Sequence, residues 1–151
     1  MKSIATALLL IAFFAVSAFA QVQMDEAKFE KWVKGMKVPA GYKYEDTETS
    51  EEEFTANFYK KCGQGMCAVM VKVDRPEKFE MYKNDKTIKD VKLTQYGGKK
   101  ALYYAYKNMN LSSVIVDVPE IKGKVTVSFS PAFSSAEMEK ALKGIGIEKL
   151  R

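Results

Sequence analysis

Apolar residues recur every three or four positions near both ends of the chain, and this spacing predicts two amphipathic helices. In the first helix the spacing is kept by Phe29, Trp32, Val33 and Met36. In the second it is kept by Met138, Ala141, Leu142 and Ile145. Asp25 is the predicted N-cap of the first helix, and Ser134 with Glu137 forms the capping box of the second. The chain should therefore carry one helix near each end of its folded part.

Between these helices, apolar and polar residues alternate in short runs, as expected for strands with one buried face. The runs are Tyr42–Glu48, two stretches within Phe54–Val73, two around Gly97 and Gly98, Ser112–Val118 and Val125–Phe129. A short helix from Pro76 to about Asn84 interrupts them. We predict a two-layer α+β domain over residues 21–151. It consists of an antiparallel meander of about six to seven strands, with the N- and C-terminal helices packed on one face.

The stretch Phe54–Val73 contains both cysteines and is the most informative strand pair. A hairpin with Cys62 opposite Cys67 places Phe58 opposite Val71, so that one face is apolar. Ser50–Lys61 also has features of a helix, because Ser50 and Glu53 could form a capping box. Strand and helix both remain open for this segment, and the hairpin register favours the strand.

A second hairpin is predicted at Gly97-Gly98, a two-residue turn signal. Pairing across this turn puts Leu93 opposite Leu102 and Val91 opposite Tyr104, on the same side as Tyr106. The opposite side of these strands then belongs to an outward face of the sheet. The expected outward residues are Tyr59, Ala68, Met70, Ala101, Tyr103 and Ala105.

Residues 1–20 have the pattern of a secretory signal peptide. Lys2 precedes a run of apolar and small residues from Ile4 to Val16, and Ala18-Phe19-Ala20 is a cleavage signal. The run is shorter than the roughly 20 residues that a membrane-spanning helix needs. We therefore predict cleavage after Ala20, no transmembrane segment afterwards, and a periplasmic or extracellular protein.

The charge of the chain gives no sign of a nucleic-acid partner. The formal net charge is +5, and loss of Lys2 with the signal peptide leaves 23 of the 24 basic residues against 19 acidic ones, a net charge of +4. Arginine is rare and the lysines alternate with glutamates, whereas nucleic-acid surfaces cluster arginine with stacking aromatic side chains. The pattern is typical of a solvated surface, with weak attraction to anionic envelope surfaces as an alternative.

The chain contains no histidine, which excludes Ser-His-Asp and Cys-His dyads, histidine metal sites and covalent haem attachment. No pair of carboxylates has a spacing that marks an acid/base couple, so no catalytic residue, cofactor or metal site is predicted. For Cys62 and Cys67 the preferred interpretation is a structural disulfide. A thiol redox pair, or a soft-metal site that also uses Met66 and Met70, is the alternative.

These observations favour an exported, noncatalytic binding or accessory domain whose small ligand or protein partner is unknown. Its binding surface is expected on the outer sheet face, at Tyr59, Met70 and Tyr103, or along an edge strand. The alternative function is a thiol-based redox or soft-metal protein centred on Cys62 and Cys67.

Overall fold

A computed structural model describes residues 21–151, and the predicted signal peptide lies outside the described residues. Residues 21–151 contain three α-helices: α1 (Glu26–Lys34), α2 (Glu80–Lys83) and α3 (Ser135–Ile145). The seven strands are β1 (Lys43–Thr49), β2 (Phe54–Cys62), β3 (Gly65–Asp74), β4 (Ile88–Tyr96), β5 (Lys99–Tyr106), β6 (Ser112–Val118) and β7 (Gly123–Ser130). The predicted α+β class and antiparallel sheet are confirmed, and Ser50–Lys61 contributes a strand and not a helix.

The seven strands form one sheet in the order β1-β2-β3-β7-β6-β5-β4, and every neighbouring pair is antiparallel. After β3 the chain passes through α2 to the far edge of the sheet and then returns strand by strand to β7, beside β3. Within this sheet the edge strands are β1 and β4. Hydrophobic alternation predicts strands but does not specify this order.

The two longer helices begin at the predicted caps. The Asp25 side chain accepts a hydrogen bond from the backbone N–H of Lys28 at 2.7 Å, and Ser134 and Glu137 form a reciprocal capping box. The buried side chains of both helices join one hydrophobic core with the inward residues of β2, β3, β5, β6 and β7. Trp32 of α1 links the two longer helices, because its indole N–H donates a hydrogen bond of 3.1 Å to the carbonyl oxygen of Gly146, the C-cap of α3.

The β2–β3 hairpin has the predicted faces but a different register. Cys62 lies opposite Gly65, Phe58 opposite Val69 and Ala56 opposite Val71, so the pairing is displaced by two residues from the predicted one. The reason is a turn of only two residues, whose first residue, Gly63, has φ +60°. Because side chains alternate with a period of two, this displacement leaves the apolar residues of both strands on the core face.

The β4–β5 hairpin follows the prediction only near its turn. Leu93 lies opposite Leu102 as expected, and both turn glycines have positive φ. The pairing of Val91 with Tyr104 is wrong, because the register shifts between Lys89 and Lys92, where Asp90 adopts φ +55°. Ile88 therefore pairs with Tyr106 beyond the bulge.

The expected faces of β5 are also reversed. Ala101 and Tyr103 belong to the main core beneath the helices, while Leu102 and Tyr104 form a second, smaller cluster with Ile88 and Ile115 on the outer face. Phe79 and Tyr82, at the start of and within α2, pack against this second cluster, and the Tyr82 and Tyr104 rings stack with centroids 5.1 Å apart. Both faces of β5 are covered, so an alternation of apolar and polar residues is missing from this strand.

Candidate functional site

Cys62 and Cys67 form the predicted disulfide, which joins diagonal positions of the β2–β3 hairpin with their Cα atoms 5.8 Å apart. Cys67 is buried in the main core and Cys62 packs against it. Both sulfur atoms are used by this bond, and the described part of the chain has no free cysteine. The disulfide therefore links β2 to β3 at the end of the main core.

Replacement of both cysteines by alanine is expected to lower the free energy of unfolding by about 2 kcal/mol, because the bond closes a loop of only a few residues. Urea unfolding of the wild type and the double variant measures the difference. Mass spectrometry after alkylation should find no modified cysteine before reduction and two afterwards. Alkylation of the native, unreduced protein would contradict the disulfide.

Tyr59 and Met70, two of the predicted surface residues, lie on the outer face of the sheet and are half-buried. They occupy diagonal positions, because Tyr59 pairs with Ala68 and Met70 with Asn57. No helix of residues 21–151 contributes a buried side chain to this part of the sheet. Their role in binding remains a prediction.

Tyr103 was predicted to lie on the same outer face, and this placement is wrong. Its side chain is only 7% exposed and belongs to the main core, where its hydroxyl donates to the carbonyl oxygen of Phe133 at 2.8 Å. Ala101 and Ala105, predicted beside it, are buried as well. Ala101 and Met138 of α3 belong to the same core as Tyr103. Tyr103 therefore does not present a surface to a partner.

An open apolar groove of about 490 Å³ lies between α1, the segment that follows it, and β1. Its floor is formed by the buried side chains of Val33, Tyr42 and Phe58, and half-buried Met36 and Val38 form one wall. The volume lies within the range of small-ligand sites in proteins. The groove can hold a small apolar molecule or a few apolar side chains of a partner.

The groove exists because α1 packs over β2 and leaves the inward side of β1 without a cover. The Phe29 ring of α1 contacts the Phe54 ring of β2, with centroids 5.5 Å apart. On β1, Tyr44 and Thr47 line the groove and join their hydroxyl groups at 2.7 Å. Tyr44 remains 53% exposed although its ring meets the Phe58 ring edge to face. The Tyr44 ring thus forms the boundary between the groove and the edge of the sheet.

Strand β1 is an edge of the sheet, and all of its residues are exposed except the half-buried Thr47. An edge strand presents backbone N–H and C=O groups that can pair with another strand. A bulge at Glu45 interrupts the register with β2, and regular pairing resumes from Asp46 to Thr49. This regular part adjoins the groove, so the edge and the groove form one continuous surface.

The charges around this surface are unequal. Three carboxylates of β1, those of Glu45, Asp46 and Glu48, are exposed on the edge strand, against one lysine, Lys43. At the groove rim Glu30 and Lys34 neutralise one another through an ion pair of 3.1 Å. The edge is therefore acidic, which disfavours pairing between two copies of β1 and favours a basic partner strand.

The groove floor is neutral. The Tyr42 phenol is uncharged at physiological pH, and burial raises its pKa further above that range. The Lys60 ammonium group lies 4.5 Å from the centroid of the Tyr42 ring, a cation–π contact on the flank of the groove. The floor of the groove is thus apolar and the adjoining edge strand is acidic.

The most highly charged cluster of the described residues lies at the outer face, where β3, β7 and the start of α2 meet. Lys124 is 8% exposed and forms ion pairs with Glu77 and with Asp74, the latter at 3.7 Å. Lys72 pairs with Glu53 at 2.8 Å and with Asp74 at 3.3 Å. This cluster fixes the segment before α2 to the sheet.

The two acids that share Lys124 respond differently to burial. Burial raises the pKa of Asp74, and the nearby lysines do not fully offset this effect. Burial also acts on Glu77, but hydrogen bonds from Lys124 and Tyr82 outweigh it and hold the pKa of Glu77 below its usual value. The charges of the cluster are paired with one another, although one buried carboxylate oxygen of Asp74 accepts no hydrogen bond and lies 3.7 Å from the Lys124 ammonium group.

Neither the charged cluster around Lys124 nor the apolar groove has the side chains of a metal site or of a nucleophilic catalytic site. Among residues 21–151, no three His, Cys, Asp or Glu side chains come together in a manner that could hold a metal ion. In the same range no helix is both long and apolar enough to cross a membrane. The groove is the strongest candidate site of the described residues.

Comparison of the chain with protein-family models, with curated protein sequences and with solved structures gives no match. Sequence patterns did not predict the groove, because one of its walls comes from the irregular segment between α1 and β1. Two apolar residues in that segment, Met36 and Val38, were the available signal.

Proposed function

We propose that the protein is an exported, noncatalytic binding domain that receives an extended segment of a protein partner along β1. Apolar side chains of that segment would enter the groove between α1 and β1. The observation that carries this proposal is the continuity of an open apolar groove with an edge strand. Strand addition of this kind takes affinity from backbone hydrogen bonds and specificity from side-chain sites beside the edge.

The partner segment should alternate apolar and basic residues. In a strand added to β1, successive side chains point to opposite faces. Those on the inner face would reach the groove, and those on the outer face and along the edge would lie near Asp46 and Glu48. Lysine or arginine at the latter positions would complement these carboxylates.

Export is part of the same proposal. It is supported by the signal-peptide pattern of residues 1–20 and by the Cys62–Cys67 disulfide, since such bonds persist in oxidising compartments. A periplasmic or extracellular domain with no catalytic constellation fits an accessory role, in which the protein holds or presents a partner chain.

A library of random peptides displayed on phage tests this proposal with the protein lacking residues 1–20. Selected peptides are expected to alternate apolar residues with lysine or arginine and to bind more weakly as salt concentration rises. Val38→Glu places a charge in the groove and should weaken binding at least tenfold. Glu48→Lys should weaken it several-fold by repelling basic side chains.

Matched changes on the outer face, Tyr59→Ala and Met70→Ala, should leave this binding unchanged. Loss of binding in these two variants, with Val38→Glu unaffected, would move the site to the outer face and overturn the groove proposal. A concentration-dependent dimer that Val38→Glu dissociates would identify a second copy of the chain as the occupant, which would also overturn it.

The alternative hypothesis, a thiol redox or soft-metal protein, has less support because Cys67 is buried in the core. Measurement of the reduction potential separates the two. A value below about −300 mV is expected for a structural bond, and a value near those of thiol oxidoreductases would favour the alternative.

A further inference from the structure

A second cleft, of about 300 Å³, lies on the opposite flank of α1, between this helix and the C-terminal segment. Its floor is apolar and consists of the buried side chains of Trp32, Ile145 and Leu150. Gly35 opens one end, because it has no side chain to fill the space. The remaining lining residues are all lysines: Lys28, Lys31 and Lys149.

These lysines leave the cleft with a positive charge. Within the described residues, neither Lys31 nor Lys149 has an ion-pair partner within 4.0 Å. The Lys28 ammonium group donates to the backbone carbonyl oxygen of Arg151 at 2.6 Å and more weakly to that of Gln23. No acidic side chain lines the cleft.

Two acidic residues of the flanking elements act on groups outside the cleft. On α1, Glu30 pairs with Lys34 at the rim of the other groove. At the C-terminal end, Glu148 acts on Tyr96, where burial, followed by the charges of Glu148 and Glu139, raises the pKa of the phenol to about 12. The positive charge of the cleft is therefore not cancelled by these neighbours.

We propose that this cleft binds an anionic amphiphile, a molecule with a single acyl chain and a carboxylate head group. The acyl chain lies on Trp32, Ile145 and Leu150, where it removes apolar surface from water. The carboxylate is held at the rim by Lys31 and Lys149, whose flexible stems let the ammonium groups reach it. The cleft is at the lower end of the size range of ligand sites, which suits one acyl chain.

This inference does not rest on the proposed peptide groove. Lys31 and Trp32 lie on one flank of α1, and Val33 and Lys34 lie on the other. The two sites share no lining residue. Failure of one proposal leaves the other intact.

Trp32 is the only tryptophan of the chain and lies in the cleft floor, so its fluorescence reports on occupancy. The probe is undecanoate with bromine on the terminal carbon, used as monomers, because bromine quenches indole fluorescence on contact. Saturable quenching is expected. The corresponding bromo-alcohol, which lacks the charge, should bind about tenfold more weakly.

The double variant Lys31→Gln/Lys149→Gln should weaken binding of the bromo-acid about tenfold. The matched variant Lys61→Gln/Lys89→Gln removes the same charge from exposed positions outside the cleft and should bind like the wild type. Gly35→Leu fills the cleft from a residue with φ −91°, which a leucine can adopt, and should abolish saturable quenching with the circular dichroism spectrum unchanged.

Three results would overturn this inference. Equal quenching in both lysine double variants would show that the charges take no part. Equal affinity for the acid and the alcohol would reduce the cleft to an apolar site. Binding of the protein to vesicles of anionic phospholipid, without saturable quenching by the monomeric acid, would assign the lysines to a membrane surface.

Discussion

Replacement of Gly144 by alanine is expected to destabilise the protein by about 1–3 kcal/mol, as overpacking of a rigid contact does. The same change inside a helix normally stabilises by about 1 kcal/mol. The sign is reversed because a Cβ atom at position 144 would overlap the backbone carbonyl group of Lys37. At this contact the N–H of Lys37 donates to the carbonyl oxygen of Gly144 at 2.8 Å, so neither backbone can withdraw without loss of a hydrogen bond.

Urea unfolding followed by circular dichroism measures this effect. Gly35→Ala is the matched control, because Gly35 has a negative φ and its added Cβ would meet only ordinary van der Waals neighbours. Its free energy of unfolding should change by no more than about 0.5 kcal/mol. A Gly144→Ala protein as stable as the wild type would refute the close packing of α3 on the segment after α1. That segment carries the wall of the peptide groove.

Lys124→Met should lower the free energy of unfolding by about 2–3 kcal/mol at neutral pH. The change preserves the length of a nearly buried side chain but leaves Asp74 and Glu77 without their shared cation. Removal of one partner of a fully buried ion pair costs about 3–5 kcal/mol, and the partial exposure of these carboxylates reduces this figure.

The pH dependence identifies the cause. A low folded-state pKa of Glu77 contributes stability that is present above its unfolded pKa of 4.5 and is lost as the pH falls through the folded value. The raised pKa of Asp74 has the opposite effect, since its stabilising contribution is present at low pH and is lost as the pH rises through the folded value. Without Lys124 both pKa values should rise, so the deficit of the variant should shrink below about pH 4.

Lys34→Met provides the comparison for an exposed pair. The side chains of Lys34 and Glu30 are both exposed to water. Loss of their ion pair should therefore change the free energy of unfolding by no more than about 0.5 kcal/mol at any pH. A deficit in Lys124→Met that stays constant between neutral and acidic pH would point to lost packing and not to the stranded carboxylates.

The sequence correctly predicts the helix caps and strand faces that depend on residues close together in the chain. The N-cap of Asp25 and the capping box of Ser134 depend on residues three positions away, and both are present. The strand at Phe54–Cys62 was chosen over a helix because its alternation matched a partner strand, and this choice is confirmed. The faces of this hairpin were also predicted correctly, since a displacement of two residues does not exchange them.

The errors come from features that neighbouring residues do not encode. Both faces of β5 are covered, so the sequence alone does not show whether Tyr103 or Tyr104 faces the helices. The bulge at Asp90 displaces the pairing of β4 with β5, and no glycine at this position indicates a bulge in the sequence. The bulge does not affect Tyr103, which lies opposite Lys92 as the predicted register requires. Its predicted outward position is wrong because β5 lacks a polar face.

The candidate site could be predicted only in part. An edge strand was one of the two expected binding surfaces, but its identity depends on the strand order, which brings β7 beside β3 and leaves β1 outside. The groove depends on the position of α1 over β2 and on the course of the chain through Met36 and Val38. Both are consequences of tertiary packing.

Hydrogen–deuterium exchange of the complex with a selected peptide tests the central claim most directly. Strand addition should slow exchange of the outward amides of β1, between Lys43 and Thr49, because they gain hydrogen bonds on binding. Exchange in β4, the other edge of the sheet, should not change. A bound peptide that leaves exchange in β1 unaltered would contradict the proposal that this edge and its groove form the binding site.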